Sequence, residues 1–229
     1  ELGNFRANDY SFVIGTAKQL DSSFTLGINI KLLVSSIYSY NSTGISTNAG
    51  ISYNNKKNKL IISLLMRNYG KQIKTYNNEN NKQKLPLEYH LGIAKSMKNA
   101  PFSLFINISN IQKWEMPYNY HNTDNYEIIN GEAIDIQKNN FINTFLYHFS
   151  FGTEFNPSKN FSIQLGYNYR IRHTLKIDDK KSIVGLSTGI SLKVKKISIG
   201  YAILKYHLST SISNISITIP FDNFVKIKK

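Results

Sequence analysis

No cysteine occurs among the 229 residues, which excludes disulfide staples, thiolate-bound zinc and thiol catalysis. Charge is sparse as well, with Asp, Glu, Lys and Arg making up 18% of the chain against about a quarter in ordinary soluble domains. Carboxylates are the scarcer sign: 14 Asp and Glu stand against 28 Lys and Arg, a formal net charge of +14. Long hydrophobic runs are missing, since stretches such as Leu60-Ile61-Ile62 last only a few residues. Mean hydropathy is −0.30, so no helix of this sequence crosses a bilayer. A basic-then-apolar leader is not seen at the start either. What the chain has in quantity is aromatic side chains, 15 Tyr and 13 Phe, within a 41% hydrophobic composition. That excludes intrinsic disorder, and the length suits one large all-β domain over 1–229.

The dominant signal is a period of two. Phe24, Leu26, Ile28, Ile30, Leu32 and Val34 alternate with Thr25, Gly27, Asn29, Lys31, Leu33 and Ser35. Phe161, Ile163, Leu165, Tyr167, Tyr169 and Ile171 alternate with Ser162, Gln164, Gly166, Asn168, Arg170 and Arg172. Val184 to Val194 repeats the pattern, with Gly185, Ser187, Gly189, Ser191 and Lys193 opposite. Successive side chains of a strand point to opposite faces, so each segment has one apolar face and one small or polar face. About eleven strands follow, near 8–19, 23–36, 42–54, 59–69, 87–96, 102–110, 145–156, 160–172, 183–194, 197–205 and 208–221. Most are about 10–13 residues long. Strands of soluble proteins usually have about 5–6, whereas a tilted strand crossing a bilayer needs about 9–11.

Connector lengths give a separate argument. Leu20 to Ser22, Asn55 to Asn58, Met97 to Pro101, Asn156 to Lys159 and Lys195-Lys196 are short. Ile37 to Asn41, Gly70 to Pro86, Ile111 to Thr144 and His173 to Ser182 are longer and fall between them, with a modest connector at Tyr206-His207. Short turns on one side and longer loops on the other are the habit of outer-membrane barrels. The sequence therefore predicts an all-β, antiparallel up-and-down transmembrane β-barrel in the bacterial outer membrane, a multi-pass protein with its C-terminus periplasmic. The apolar parity faces lipid, and the Gly, Ser, Asn, Gln and Arg170 parity faces inward. Tyr10, Tyr53, Tyr89, Tyr147, Phe155 and Tyr201 are expected at strand ends, as a girdle at headgroup level. An odd strand count is unusual for single-chain barrels, which implies N-terminal strands and an export signal ahead of Glu1.

Chemistry-bearing constellations are weak. His90, His121, His148, His173 and His207 lie in separate segments with no His-x-x-x-His pair, so no metal centre is expected. Gly-x-Ser-x-Gly and phosphate-cradling loops are absent, and no cofactor or enzymatic activity is implied. Asp178-Asp179 between Lys176 and Lys180 reads as a solvated turn, with a calcium site as the alternative. Basic residues are spread over turns and loops, and aromatics share parity with Ile and Leu. A nucleic-acid surface would interleave aromatics with Arg and Lys on one face. Anionic headgroups or lipopolysaccharide explain the charge more directly.

The longest connector carries the only tryptophan, Trp114, followed by Tyr118, Tyr120 and His121. These four residues are the candidate partner-binding set, since exposed Trp and Tyr serve as interface anchors. Packing under their own loop is the competing reading. Phe141, Ile142, Phe145 and Leu146 recur at helical spacing, which predicts a short helix leading into the next strand.

Several stretches resemble a known family. Glu1-Leu2-Gly3-Asn4-Phe5 with Asp9-Tyr10-Ser11-Phe12, Asn68 to Tyr76, Leu85 to Ile93, Asn99-Ala100-Pro101-Phe102 and Asn110 to Trp114 are similar to the PorQ family. So are Leu165-Gly166-Tyr167-Asn168 with Arg170 and Arg172, and Tyr206-His207-Leu208. PorQ proteins belong to the type IX secretion system and are relatives of PorV. The resemblance implies a barrel of the FadL type with fourteen strands, of which about three precede Glu1. It also implies a non-enzymatic role in protein secretion, holding a PorZ-like surface protein in an attachment complex with PorU- and PorV-like components near lipopolysaccharide. The tail from Asp222 to Lys229 departs from the family pattern. The alternative function is that of the FadL transporters, import of hydrophobic small molecules.

Overall fold

A computed structural model describes residues 6–77, 82–114, 126–129, 132–135, 141–175 and 182–220. Eleven antiparallel strands run up and down in chain order, and a separate two-stranded hairpin stands apart from them. The chain divides into two compact units, the first comprising 1–94 with 109–112 and the second comprising 95–108 with 113–229. None of the described helices is long and apolar enough to cross a membrane, which says nothing of strands.

The first unit contains β1 (Ala7–Gln19), β2 (Phe24–Ile37), β3 (Tyr40–Asn55), β4 (Leu60–Lys74) and most of β5 (Glu88–Ser96), hydrogen-bonded in that order. β1 and β2 pair without interruption from Ala7↔Ile37 to Gln19↔Thr25. Their turn is held by Asp21, whose Oδ1 accepts the amides of Ser23 and Phe24 at 2.7 Å each. β2 and β3 pair from Phe24↔Tyr53 to Ile37↔Tyr40. The connector expected over 37–41 is thus a tight hairpin, because Tyr38 takes φ 54° and reverses the chain at once.

Two neighbouring interruptions shape β4. Thr47 pairs with Tyr69 and Ala49 with Met66, so Arg67 and Asn68 together oppose Asn48. Asn68 adopts φ 61° in this bulge, a conformation that Asn tolerates better than most residues. Beyond it the strand continues to Lys74, past the boundary expected at 69. The chain then folds back along it: Gln72 N donates to Gln83 O and Leu85 N to Gly70 O, both at 2.9 Å.

The second unit contains β6 (Phe102–Ser109), which ends at the boundary between units, then β9 (Phe149–Ser158), β10 (Phe161–Asn168), β11 (Leu186–Val194), β12 (Ile197–Lys205) and β13 (Ser211–Thr218). They are hydrogen-bonded in the order β6-β9-β10-β11-β12-β13. The separate hairpin is β7 (Tyr126–Ile129) with β8 (Glu132–Asp135), an element the alternation did not reveal. The helix expected near 141–146 is present as α1 (Phe141–Leu146). The strand expected over 160–172 ends at Asn168, and Tyr169–Leu175 form a second helix, α2. Asn168 caps it, its Oδ1 accepting the Ile171 amide at 2.9 Å. Arg170 and Arg172, expected on the inward face of a strand, are therefore helical.

Burial is inverted relative to a soluble sheet. Along β2 every apolar residue from Phe24 to Leu32 on the outward parity is exposed, while Thr25, Gly27, Asn29 and Lys31 are half-buried. Ile28 and Ile30 are each 50% exposed. Among the described residues the one buried hydrophobic side chain is Val184, whereas Ser42, Ser46, Ser103, His148 and Ser162 are buried. Water would penalise so much exposed hydrocarbon by about 25 cal/mol per Å². A hydrocarbon solvent removes the penalty, and it also requires the polar parity to turn away, as it does.

Candidate functional site

The covered, polar face of the first unit is the richest in chemistry. Ladder pairing places Asn29 opposite Asn48 and Lys31 opposite Ser46. The amides form a chain: Asn48 Nδ2 donates to Asn29 Oδ1 at 2.7 Å, and Asn48 Oδ1 accepts the Asn68 backbone amide at 2.7 Å. Lys31 Nζ donates to Asn68 Oδ1. The bulge thus aims the Asn68 side chain at a cation two strands away. On β5 Glu88 and His90 share one parity, with Glu88 Oε2 and His90 Nε2 3.0 Å apart. Arg67 reaches the same Glu88 oxygen at 3.9 Å.

Two features flank this cluster along the strands. Toward the short turns, Gly15, Ala17, Gly27 and Gly50 present almost no side chain, leaving a hollow of about 420 Å³ bordered by Asn29, Asn48 and Leu65. Toward the other end, Tyr76 OH donates to Ser35 Oγ at 2.6 Å, and Ser35 Oγ donates to Asp9. Leu85 lies over Gly44. The returning segment after β4 therefore covers that end of the polar face. Close approach here is fixed by Gly70, where a Cβ would strike the Ile45 carbonyl and Ser46.

The second unit has a plainer polar face. Gly152 pairs with Gly166, Gly189 with Gln164 and Gly200 with Ser191. Gln164 donates to Glu154 at 3.0 Å and Asn168 to Ser150 at 2.9 Å. Gly185, at φ 85°, brings the chain back against Asn168 and Arg172, and Arg172 donates to the Ser182 carbonyl.

Of the candidate partner-binding residues, Trp114 is described and Tyr118, Tyr120 and His121 lie outside the described residues. Trp114 is 46% exposed. Its ring stacks with Phe141 at 6.3 Å and Phe145 at 6.4 Å, and tilts against His148 at 5.0 Å. His148 is buried beneath it at 2% exposure. Phe145 continues the aromatic contact to Phe149, and Phe149 to Phe151, on the outward parity of β9. Among the described residues no group of three or more His, Cys, Asp or Glu is placed to hold a metal ion.

The sequence reading did not single out Lys31, Arg67, Glu88 and His90 as a group. Their parity was available: Glu88, His90 and Gly92 alternate with Tyr89, Leu91 and Ile93. The bulge that brings Asn68 to Lys31 has no comparable signal.

No family model matches the chain, and no curated protein matches it at a significant level. Solved structures do. The toluene transporter TodX of P. putida superimposes with a TM-score of 0.51 at 12% identity, over 87% of this chain and 63% of that one. The toluene transporter TbuX of Ralstonia pickettii gives 0.52 at 11% identity, over 93% of this chain and 66% of that one. A deltaS2 mutant of TodX, described as a monoaromatic hydrocarbon channel, gives 0.53 at 10% identity. The chain spans just under two thirds of the length of these transporters. At such identity the likeness is one of fold, and the expected FadL-type architecture of antiparallel up-and-down strands is what the chain has.

Proposed function

We propose that this chain forms membrane-spanning strands of a non-enzymatic bacterial outer-membrane β-barrel through which small hydrophobic molecules pass. The observation that carries the membrane part is the inverted burial of β2, with Ile28 and Ile30 half exposed and the polar parity covered. Support for the transport part comes from the fold, shared with proteins described as toluene transporters. The polar cluster around Lys31 and Asn68 qualifies the passage: a solute moving along that face meets amides and charges as well as the glycine-lined hollow.

Two measurements test this in sequence. The full-length protein is expected in the membrane fraction and in the detergent phase on phase separation; recovery from the aqueous phase would end the membrane reading. Cells making it should then take up labelled toluene faster than cells lacking it. Membrane insertion with no difference in uptake would remove transport and leave the barrel.

A second reading keeps the PorQ-type role, in which the barrel anchors a PorZ-like surface protein with PorU- and PorV-like components in the type IX secretion system. What favours it is Trp114, half exposed on the rings of Phe141 and Phe145 at the connector end of the strands. Deleting 117–135 should release such a partner and leave the barrel folded. Unchanged retention would refute docking through that loop.

A further inference from the structure

The segment returning along β4 closes a pocket on the covered face of the first unit, at the end of the strands away from the Asp21 turn. Its volume is about 300 Å³, at the small end of ligand cavities, which run from about 300 to 1,000 Å³. β1 and β2 supply Asp9, Leu33 and Ser35, and β3 and β4 supply Ser42 and Gln72. Tyr76 and Leu85 come from the returning segment. Leu85 seats on Gly44, its methyl carbons 3.6 and 3.7 Å from the position a Cβ would take there. Backbone bonds from Gln72 N to Gln83 O and from Leu85 N to Gly70 O, both at 2.9 Å, fasten the segment to β4.

The hydroxyl protons around this pocket are committed to its walls. A carboxylate only accepts hydrogen bonds, so Ser35 gives its proton to Asp9, and Tyr76 gives its own to Ser35 Oγ at 2.6 Å. The Gln83 backbone amide donates to Gln72 Oε1 at 3.1 Å, which leaves Gln72 Nε2 to donate to Ser42 Oγ at 3.2 Å. Ser42 in turn donates to the Lys74 carbonyl at 2.9 Å. Gln72 keeps one spare N–H. Against it stand the second oxygen of Asp9 and the lone pairs of the Tyr76 hydroxyl. Among the described residues no Lys, Arg or His pairs with Asp9, since both ion pairs of this face go to Glu88. The pocket is short of donors and carries one unpaired negative charge.

We propose that this pocket binds a small organic ammonium ion, its charged nitrogen donating to Asp9 and Tyr76 and its hydrocarbon lying against Leu33 and Leu85. Asp9 and Tyr76 converge on one atom, Ser35 Oγ, so a single ammonium group can face both. Water also satisfies a carboxylate, and the leucines decide what displaces it: a carbon skeleton gains from covering them. A metal ion would need several oxygen ligands, and one carboxylate beside serines whose protons are committed does not furnish them. The site stands apart from the Lys31–Asn68 cluster and goes beyond the transport reading, because it needs only the geometry of the first unit. The chain as a whole carries a formal +14, and that field repels cations. Saturable binding of one therefore requires a local site.

The test is isothermal titration of benzylamine into the full-length protein in a neutral detergent at neutral pH, with empty micelles as the blank. Saturation at one molecule per chain is expected. Benzyl alcohol and toluene, uncharged molecules with the same ring, should bind at least about tenfold more weakly, as loss of a charge-assisted hydrogen bond implies. Methylammonium, which has the charge without the ring, should also bind more weakly than benzylamine. Asp9→Asn keeps an acceptor for the Ser35 hydroxyl while removing the charge, and should lose about tenfold in affinity. Asp21→Asn removes the same charge beyond the other end of β1 and should bind as the wild type does. Absence of saturable binding, equal affinity for benzyl alcohol or methylammonium, unchanged affinity in Asp9→Asn, or equal losses in the two variants would each overturn the proposal. Benzylamine binding without toluene uptake would leave this site and remove transport; uptake without binding would do the reverse.

Discussion

Asp21 shows how one side chain sets a turn. Its carboxylate accepts two backbone amides, from Ser23 and Phe24, and these bonds hold it below the ordinary carboxylate range despite full exposure. A carboxyl depressed in the folded state contributes stability above its unfolded value, near 3.8, and loses it as pH falls through the folded value. The stability difference between wild type and Asp21→Ala in detergent should therefore be present at pH 7 and shrink as pH falls below the unfolded value of 3.8. A difference that is flat with pH would show that the turn does not depend on the carboxylate. Gly70 is a steric counterpart. A methyl group there meets the backbone of Ile45 and Ser46 in the neighbouring strand, which cannot step aside as a flexible side chain would. Gly70→Ala should cost about 1–3 kcal/mol by equilibrium unfolding.

At the scale of elements, β2 offers the sharpest contrast. Ile28 and Ile30 face outward and Asn29 faces the covered side, at adjacent positions of one strand. In a bilayer, Ile30→Lys should destabilise by about 2–4 kcal/mol, while Asn29→Ser should cost far less. On a soluble sheet the exposed Ile30→Lys would be harmless, so unfolding of the pair in lipid separates the two cases. The transition from β10 to α2 is another element-level feature. Asn168 satisfies the Ile171 amide, and Thr174 Oγ1 donates to the Arg170 carbonyl at 2.8 Å. Asn168→Ala should lower stability by about 1 kcal/mol, visible as earlier thermal loss of near-ultraviolet signal from the Tyr169 environment.

For the whole molecule, the arrangement of charge is as informative as its amount. The eight lysines in or beside the short turns (Lys18, Lys56, Lys57, Lys59, Lys98, Lys159, Lys195 and Lys196) meet a single carboxylate there, Asp21, and nine more fall in the longer connectors 70–86, 111–144 and 173–182, so the net charge of +14 is spread along the chain. The described surfaces differ in character: the first unit has a polar face with a glycine-lined hollow, and the second has the Trp114 aromatic patch. Tyr201 does not join the girdle expected for it, because it lies in the middle of β12 with its hydroxyl donating to Ser213 at 3.3 Å.

Alternation by itself determined most of this architecture, since parity along a strand depends only on the chain: the long strands, their two unlike faces and α1 follow from residue spacing. Strand ends were less accessible where a single local conformation decides them. Tyr38 at φ 54° closes a hairpin where a longer connector was expected, and the Asn168 cap turns the last residues of an apparently regular strand into a helix. The tertiary structure alone decided the polar cluster. Lys31, Asn48 and Asn68 come from three strands, and their meeting depends on ladder register and on a two-residue bulge. Register is a property of pairs of strands, so no single strand carries it.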